Sequence, residues 1–461
     1  MMAEPVHKAG LRRELGFLHA TSLAITDMVG IGPFITIPLF LATMGGPQAM
    51  LGWLVGAALA FCDGLVWAEL GAALPKAGGS YHYLREAFGP RGAGRWLSFL
   101  VVWQIMFSAP LSVASGSIGF AHYFHYLVPG MTPWEVRIFA SMVPLALILV
   151  LYRRIRAVGN LSVVMLGGVL VGCFWIILSG LPHLSAARIF DFPPGAFHLN
   201  VIFWAGLGHA TLYALYDYFG YYNVCYLAEE IREPGRVIPL AILFSIGAVA
   251  IIYILMNTSI LSVIPWREAQ NSHFIASEYI QELQGRFAGQ MMTLLMLWIA
   301  FASAFSLLLG YSRIPYAAAA DGNFFKIFAR LHPKHDIPHV SLVTLGVIAS
   351  GFSLLRLPEV IVSLVATRVL LQYLPQAVGF FILRFKQPDM ERPFKMWFYP
   401  IPGIISLFGW LYILSTSARG ALLFALVVFL AGTAAYLFRA RRKGEWPFLR
   451  AGSAGRAGAS E

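Results

Sequence analysis

Long apolar stretches alternate with short polar connections along the whole chain. A helix needs roughly 20 mostly apolar residues to cross the hydrocarbon core of a bilayer. Twelve runs fit that scale: about 17–43, 49–73, 97–121, 134–152, 159–181, 200–228, 237–263, 288–311, 340–355, 360–383, 400–417 and 420–438. The pattern predicts an all-α polytopic membrane protein with 12 transmembrane helices. Residues 17–438 read as a single transmembrane domain between short polar tails at 1–16 and 439–461. The first run is long enough for a full span and does not read as a cleavable leader.

Two runs are not uniform helices. Run 1 contains Thr26-Asp27-Met28-Val29-Gly30-Ile31-Gly32-Pro33-Phe34. Gly and Pro weaken a helix, and Pro33 has no backbone N–H. Broken backbone within a bilayer is tolerated only where protein or a wet cavity satisfies it. Asp27 lies ten residues past Phe17, roughly 15 Å along a helix and so about mid-bilayer. Run 6 contains Tyr216-Asp217-Tyr218-Phe219-Gly220-Tyr221-Tyr222-Asn223, which again sets an acid beside a glycine. The two breaks share a spacing, Asp27-x-x-Gly30 and Asp217-x-x-Gly220, and they open the first and second groups of five runs. A repeat with an odd number of spans is inverted relative to its partner. The expected repeats are about 17–181 and 200–383, followed by runs 11 and 12 at about 400–438. A glycine in one membrane helix usually marks close packing. Two matched interruptions, each beside an intramembrane acid, point instead to a solute site.

Composition agrees with the pattern. Of 461 residues, 58% are hydrophobic and 12% charged, about half the charged share of a typical soluble domain. Mean hydropathy is +0.70. The net charge of +11 does not indicate nucleic acid, because the basic residues fall in short clusters between apolar runs. With the N-terminus inside, the inner segments hold 26 of the 33 Lys and Arg and the outer loops hold 6. Arg368 remains, within run 10. That bias places both termini in the cytoplasm and suits a cell (plasma or inner) membrane. Cys62, Cys173 and Cys225 sit in apolar stretches without CxxC or metal-ligand spacing, so neither a metal nor a cofactor is expected. No HExxH, GxSxG or P-loop pattern supports an enzyme or an ATP-driven pump. A channel is expected to show a repeated filter or charged ring rather than two asymmetric breaks.

Several motifs resemble the amino acid–polyamine–organocation superfamily of permeases, in its amino acid permease branch. Gly30-Ile31-Gly32-Pro33-Phe34 stands where that family has Gly-Ser-Gly-Ile-Phe. After run 2 come Ala68-Glu69-Leu70-Gly71 and Pro75-Lys76-Ala77-Gly78-Gly79. Run 6 leads into Glu229-Glu230-Ile231-Arg232-Glu233-Pro234, and run 8 ends in Ser312-Arg313 before Ala320-Asp321-Gly322. The resemblance covers roughly 15–440. It implies a LeuT-like five-plus-five inverted repeat with broken helices 1 and 6 and two extra C-terminal helices. It also implies secondary transport of an amino acid by alternating access, with a polyamine or other organic cation as the alternative cargo.

The resemblance implies site residues as well. Backbone N–H groups at Gly30, Ile31 and Gly32 would face a substrate carboxylate. Carbonyls at Met28 and Tyr216 would face its ammonium. Tyr216 would act as an aromatic lid, with Tyr218 and Tyr221 as the next candidates and Gly220 at the break. Ile31 replaces the family's Ser, and Pro33 lacks an N–H, so the carboxylate end departs from the usual pattern. The expected partners are a small amine-bearing solute and the lipid bilayer.

Asp27 and Asp217 are candidates for recognising a cationic group or carrying a proton. The competing reading is that they cap the broken helix ends or pair with Arg368. Arg368 reads as the partner of one of the acids, or else as a gate or substrate residue. Glu69 reads as half of a structural pair with a loop arginine, and the role of Asp63 stays open. Proton symport and exchange are the expected couplings. Some family members carry a Lys in run 5 in place of a sodium site, and 157–181 contains none. Ser303 and Ser306 in run 8 are the candidates for an ion site.

Overall fold

The computed structural model describes residues 11–355 and 357–448, with the side chains of all but 357–360. Most of the two expected tails, 1–10 and 449–461, lies outside the described residues. The protein is all-helical, 77% helix. The one extended pairing among the described residues is an isolated bridge between Leu15 and Ile231.

In chain order the helices are α1 (Phe17–Met28), α2 (Gly32–Met44), α3 (Met50–Ala73), α4 (Ser80–Ala87), α5 (Ala93–Leu127), α6 (Pro133–Leu151), α7 (Ile155–Gly180), α8 (Ala186–Ile189), α9 (Val201–Tyr218), α10 (Asn223–Tyr226), α11 (Pro234–Val263), α12 (Trp266–Ala269), α13 (Ile275–Gln284), α14 (Arg286–Tyr311), α15 (Arg313–Ala320), α16 (His339–Phe352), α17 (Leu357–Arg368), α18 (Leu374–Lys386), α19 (Ile401–Thr416) and α20 (Arg419–Lys443). Among the described residues, nine helical segments are long and apolar enough to cross a membrane. The other three predicted runs fall outside that set. Runs 9 and 11 are α16 and α19, and run 6 is α9 followed by the single turn of α10.

Local chemistry explains many of the ends. Thr132 and Glu135 form a reciprocal capping box at the start of α6, with Pro133 in the first turn. Gly45 ends α2 and Gly444 ends α20, both in the left-handed conformation that glycine adopts without penalty. Run 12 extends past its predicted end to Lys443 because Arg439, Arg441, Arg442 and Lys443 continue the helix into a basic last turn.

Both predicted interruptions are present. Between α1 and α2, residues 29–31 leave the helical path, and Val29 and Ile31 flank Gly30. Between α9 and α10 the chain turns through Phe219–Tyr222, with Gly220 at φ +136°. A third irregularity was not predicted. Val369–Tyr373 forms a π-helical segment directly after Arg368, between α17 and α18. Such insertions shift the register of the face that follows and often mark functional sites.

The two broken helices cross. The half before the first break, α1, packs on α10, the turn after the second; α2 packs on α9. Around them stand α11 and α3, α7 and α14, and α5 with α17. This places both breaks in the buried centre, where Val29, Tyr218, Tyr221 and Tyr222 are fully enclosed.

Candidate functional site

The breaks interlock through their glycines. A methyl group at Gly220 would stand 2.8 Å from the Asp27 side chain, and one at Gly32 would collide with the Asp217 carboxylate and lie 3.2 Å from the Tyr216 ring. Each acid therefore occupies the space that the other break's glycine leaves open. Tyr253 of α11 ties the two together. Its hydroxyl lies 2.6 Å from the Met28 carbonyl and 3.0 Å from that of Asp217, so it can donate to either helix end.

A cavity opens at this junction. Its wall contains Asp27, Met28, Gly30, Ile31 and Gly32 from the first break, and Tyr216, Asp217 and Phe219 from the second. Ser112, Ser115 and Gly116 of α5, Ser303 and Leu307 of α14, and Leu364 and Arg368 of α17 complete it. Free space is about 40 Å³. One water needs roughly 10–15 Å³ on this measure, so the space suits a few waters rather than an amino acid. Loading anything larger requires the wall to move.

Three unsatisfied carboxylate oxygens meet here. Both Asp27 carboxylate oxygens and Oδ1 of Asp217 are buried without a hydrogen-bond partner. Asp217 Oδ2 accepts from Thr36 Oγ1 at 2.5 Å. Neither carboxylate accepts a backbone N–H, and neither forms an ion pair, among the described residues. Buried polar atoms are rarely left this way in proteins, and each instance calls for an explanation. Opposite them, the N–H groups of Ile31 and Gly32 donate to no protein acceptor among the described residues. They are the open donors of the α2 start.

Arg368 supplies the positive charge, and among the described residues it forms no ion pair with Asp27 or Asp217. Its guanidinium donates to Tyr222 Oη at 2.9 Å and Ser112 Oγ at 2.8 Å, and lies 4.8 Å above the Tyr311 ring. Hydroxyls and an aromatic face thus hold the cation, and among the described residues no carboxylate lies within salt-bridge distance of it. The wall then contains two carboxylates and one guanidinium as separate groups.

Other sequence candidates are placed elsewhere. Tyr218 packs against Trp53 and Tyr253, ring centroids 5.9 and 5.3 Å away, behind the break. Tyr221 turns away from the cavity and donates to Asp63 Oδ2 at 2.6 Å. Asp63 also accepts from Ser406 Oγ at 2.7 Å and Trp410 Nε1 at 2.9 Å, so it fastens α3 to α19 and to the second break. Gly220 contacts Asp27 rather than open space. Ser306 donates to the Leu23 carbonyl at 2.7 Å, and Ser303 to the Asp27 carbonyl at 3.3 Å, which brings both hydroxyls onto α1 backbone. Tyr216 does line the cavity, and its hydroxyl donates to Ser115 Oγ at 2.8 Å. Glu69 has its structural partners: Arg384 at 2.6 Å and the loop residue Arg392 at 3.2 Å.

Sequence reasoning missed the contribution of α5. Its signal was present, since Ser108, Ser112 and Ser115 recur at intervals of four and three and so share one helix face. Tyr253 carried no comparable signal, because a tyrosine inside an apolar run looks like packing.

Comparison with known proteins adds the family. Residues 15–442 match the amino acid permease family over almost the whole chain. The chain belongs to the amino acid permease family. Cationic amino acid transporter 4 of Mus musculus is 26% identical over 406 residues, 84% of this permease. The permease spans only 62% of the length of that relative. The b(0,+)-type amino acid transporter 1 of Mus musculus is 27% identical over 441 residues, 95% of this chain and 90% of its own. The cystine/glutamate transporter of Homo sapiens is 28% identical over 411 residues, 87% and 79% respectively. These relatives are transporters rather than enzymes, and the permease is an integral, multi-pass membrane protein.

Proposed function

We propose that this permease carries an amino acid across the membrane by alternating access, with the α1–α2 and α9–α10 breaks forming the substrate site. One observation carries the reading. The cavity holds unpartnered acceptors on Asp27 and Asp217 together with unpartnered donors at Ile31 and Gly32, among the described residues, plus the Arg368 guanidinium. A zwitterion is the solute that satisfies both kinds at once. Its ammonium, with three N–H donors, suits the two carboxylates. Its carboxylate suits the start of α2, where two open N–H groups meet the positive end of the helix. Arg368 lies in the same wall and offsets the loss of the usual serine at Ile31. The names of the relatives, all amino acid transporters, agree with this choice.

The supporting architecture is a LeuT-like five-plus-five inverted repeat with α19 and α20 appended, 12 spans in all, and cytoplasmic termini. The crossed packing of α1 on α10 and α2 on α9 is what two oppositely oriented repeats produce at their interface. Tyr216, whose hydroxyl donates to Ser115 and whose ring packs beside Leu111 and Leu364, is the lid. Coupling is by proton symport or by exchange.

A polyamine or other organic cation is the second reading, favoured by the unpartnered oxygens on two acids. Arg368 opposes it, since a fixed cation in the same wall repels a substrate that carries only positive charge. A thermal-shift screen against amino acids and polyamines separates the two, because a ligand that binds the native state raises apparent stability. Stabilisation by amino acids is expected. Stabilisation by polyamines alone overturns the choice.

A further inference from the structure

Away from the cavity, an open groove of about 800 Å³ lies between the start of α11 and the segment joining α18 to α19. Its walls include Leu240 and Phe244 on one side and Phe394 and Trp397 on the other, with Glu233 and Arg236 at the polar end. The far wall is braced from within. Glu69 binds Arg392 at 3.2 Å and accepts the Met396 N–H at 2.7 Å. At the floor, Gly235 lets α11 meet Pro393, where a methyl group would come within 3.0 Å.

The apolar side of the groove continues up the helix. Leu240, Phe244, Ile251 and Leu255 are 50%, 57%, 61% and 42% exposed. Their spacings of four, seven and four place them on one face of α11. In a membrane protein such a stripe faces acyl chains. Its polar end carries two charges of opposite sign three residues apart. Among the described residues, neither the Glu233 carboxylate nor the Arg236 guanidinium has a hydrogen-bond or ion-pair partner, and they do not pair with each other. Both stand in the run of clustered basic residues that marks one side of the membrane.

We propose that this groove is a binding site for a phospholipid whose headgroup joins a phosphate to a primary ammonium. The phosphate meets Arg236, whose guanidinium fork suits phosphate oxygens. The ammonium donates to Glu233. The acyl chains lie along the Leu240–Leu255 stripe, with Trp397 at the level of the interface. The headgroup choice follows from the pair of charges. An anionic headgroup without nitrogen leaves Glu233 facing phosphate, and a trimethylammonium headgroup offers Glu233 no N–H.

The test uses delipidated full-length protein in neutral detergent, with phosphatidylethanolamine, phosphatidylcholine or phosphatidylglycerol added. Thermal unfolding and native mass spectrometry are the readouts. Phosphatidylethanolamine is expected to raise the unfolding temperature and be retained more than the other two. The Glu233→Gln variant is expected to lose that preference, and Arg236→Gln to reduce retention of all three. Equal retention of the three lipids by the unaltered protein overturns the proposal without any variant. So does a preference for phosphatidylglycerol, or an ethanolamine preference that survives in Glu233→Gln.

Discussion

Gly220 rests on the side chain of Asp27, so closely that a methyl group at its Cα would lie 2.8 Å from both Cβ and Cγ of the acid. Gly32 stands in the same relation to Asp217. Each break therefore depends on the other's glycine for room, and the two acids are positioned by the crossing itself. The interlock uses Gly220 of the repeated Asp-x-x-Gly spacing in the second break but Gly32 in the first, where Gly30 instead abuts Ser303.

Gly220→Ala tests this interlock. The residue sits at φ +136°, where an L side chain is strained even without a neighbour. Strain and overpacking together cost about 1–3 kcal/mol. The expected result is a lower unfolding temperature and a loss of transport. Gly247→Ala is the control: it lies within α11, and among the described residues nothing comes within 4 Å of an added methyl group. Its effect on stability is expected to be neutral to slightly favourable.

Asp63 is expected to be structural. Removing its carboxylate in Asp63→Ala strands the Tyr221 hydroxyl and the Trp410 indole N–H, two buried donors with few alternatives. Each costs about 1–3 kcal/mol when unsatisfied. Thermal unfolding in detergent should register that loss, while the apparent KM of the folded fraction stays near that of the unaltered protein. A large KM change with unaltered stability would place Asp63 in the site instead.

Glu230 and Arg313 form a buried two-point ion pair, at 3.0 and 2.9 Å, on the segment that follows the second break. Removing one partner leaves a charge buried alone, at a cost of about 3–5 kcal/mol. Glu230→Gln and Arg313→Gln are each expected to destabilise strongly, and the double variant by less than their sum. A double-mutant cycle on unfolding temperatures measures the difference. Simple additivity would show that the pair is not coupled.

His82 of α4 gives a pH dependence with a definite sign. Burial pushes its pKa down to about 4, and Lys76 and Arg85 act in the same direction, against the opposing pull of the Asp321 carboxylate 3.8 Å away. An unfolded histidine titrates near 6.5. Between those values the unfolded chain takes a proton that the folded protein refuses, so stability falls as pH drops from about 6.5 toward 4. Unfolding temperatures across that range should decline. The decline should be shallower in His82→Gln.

The breaks were legible because glycine, proline and a central acid are local signals inside otherwise uniform apolar runs. What each side chain faces was not. Tyr216 and Tyr221 lie five residues apart in one motif, yet one lines the cavity and the other binds Asp63. Their direction is set by Gly220's backbone and by partners on α3 and α5, far away in sequence. Arg368 was visible as an intramembrane charge, and pairing with an acid was the economical expectation. Tyr222, Ser112 and Tyr311 satisfy it instead. Neutral partners scattered over three runs leave no pattern to read. The shorter α16 and α19 also show why run lengths alone do not fix a span count.

Uptake of radiolabelled amino acids into proteoliposomes, compared for the unaltered permease, Asp27→Asn, Asp217→Asn and Arg368→Gln, addresses the cavity most directly. Saturable uptake is expected for the unaltered protein. Losing one hydrogen bond to a charged group costs about 1.5–3 kcal/mol, roughly 10–100-fold in affinity. Weakened binding of that order is expected for at least one acid variant and for Arg368→Gln, with the proteins still folded. Uptake kinetics unchanged in all three variants would contradict a substrate site at the crossing of the two breaks.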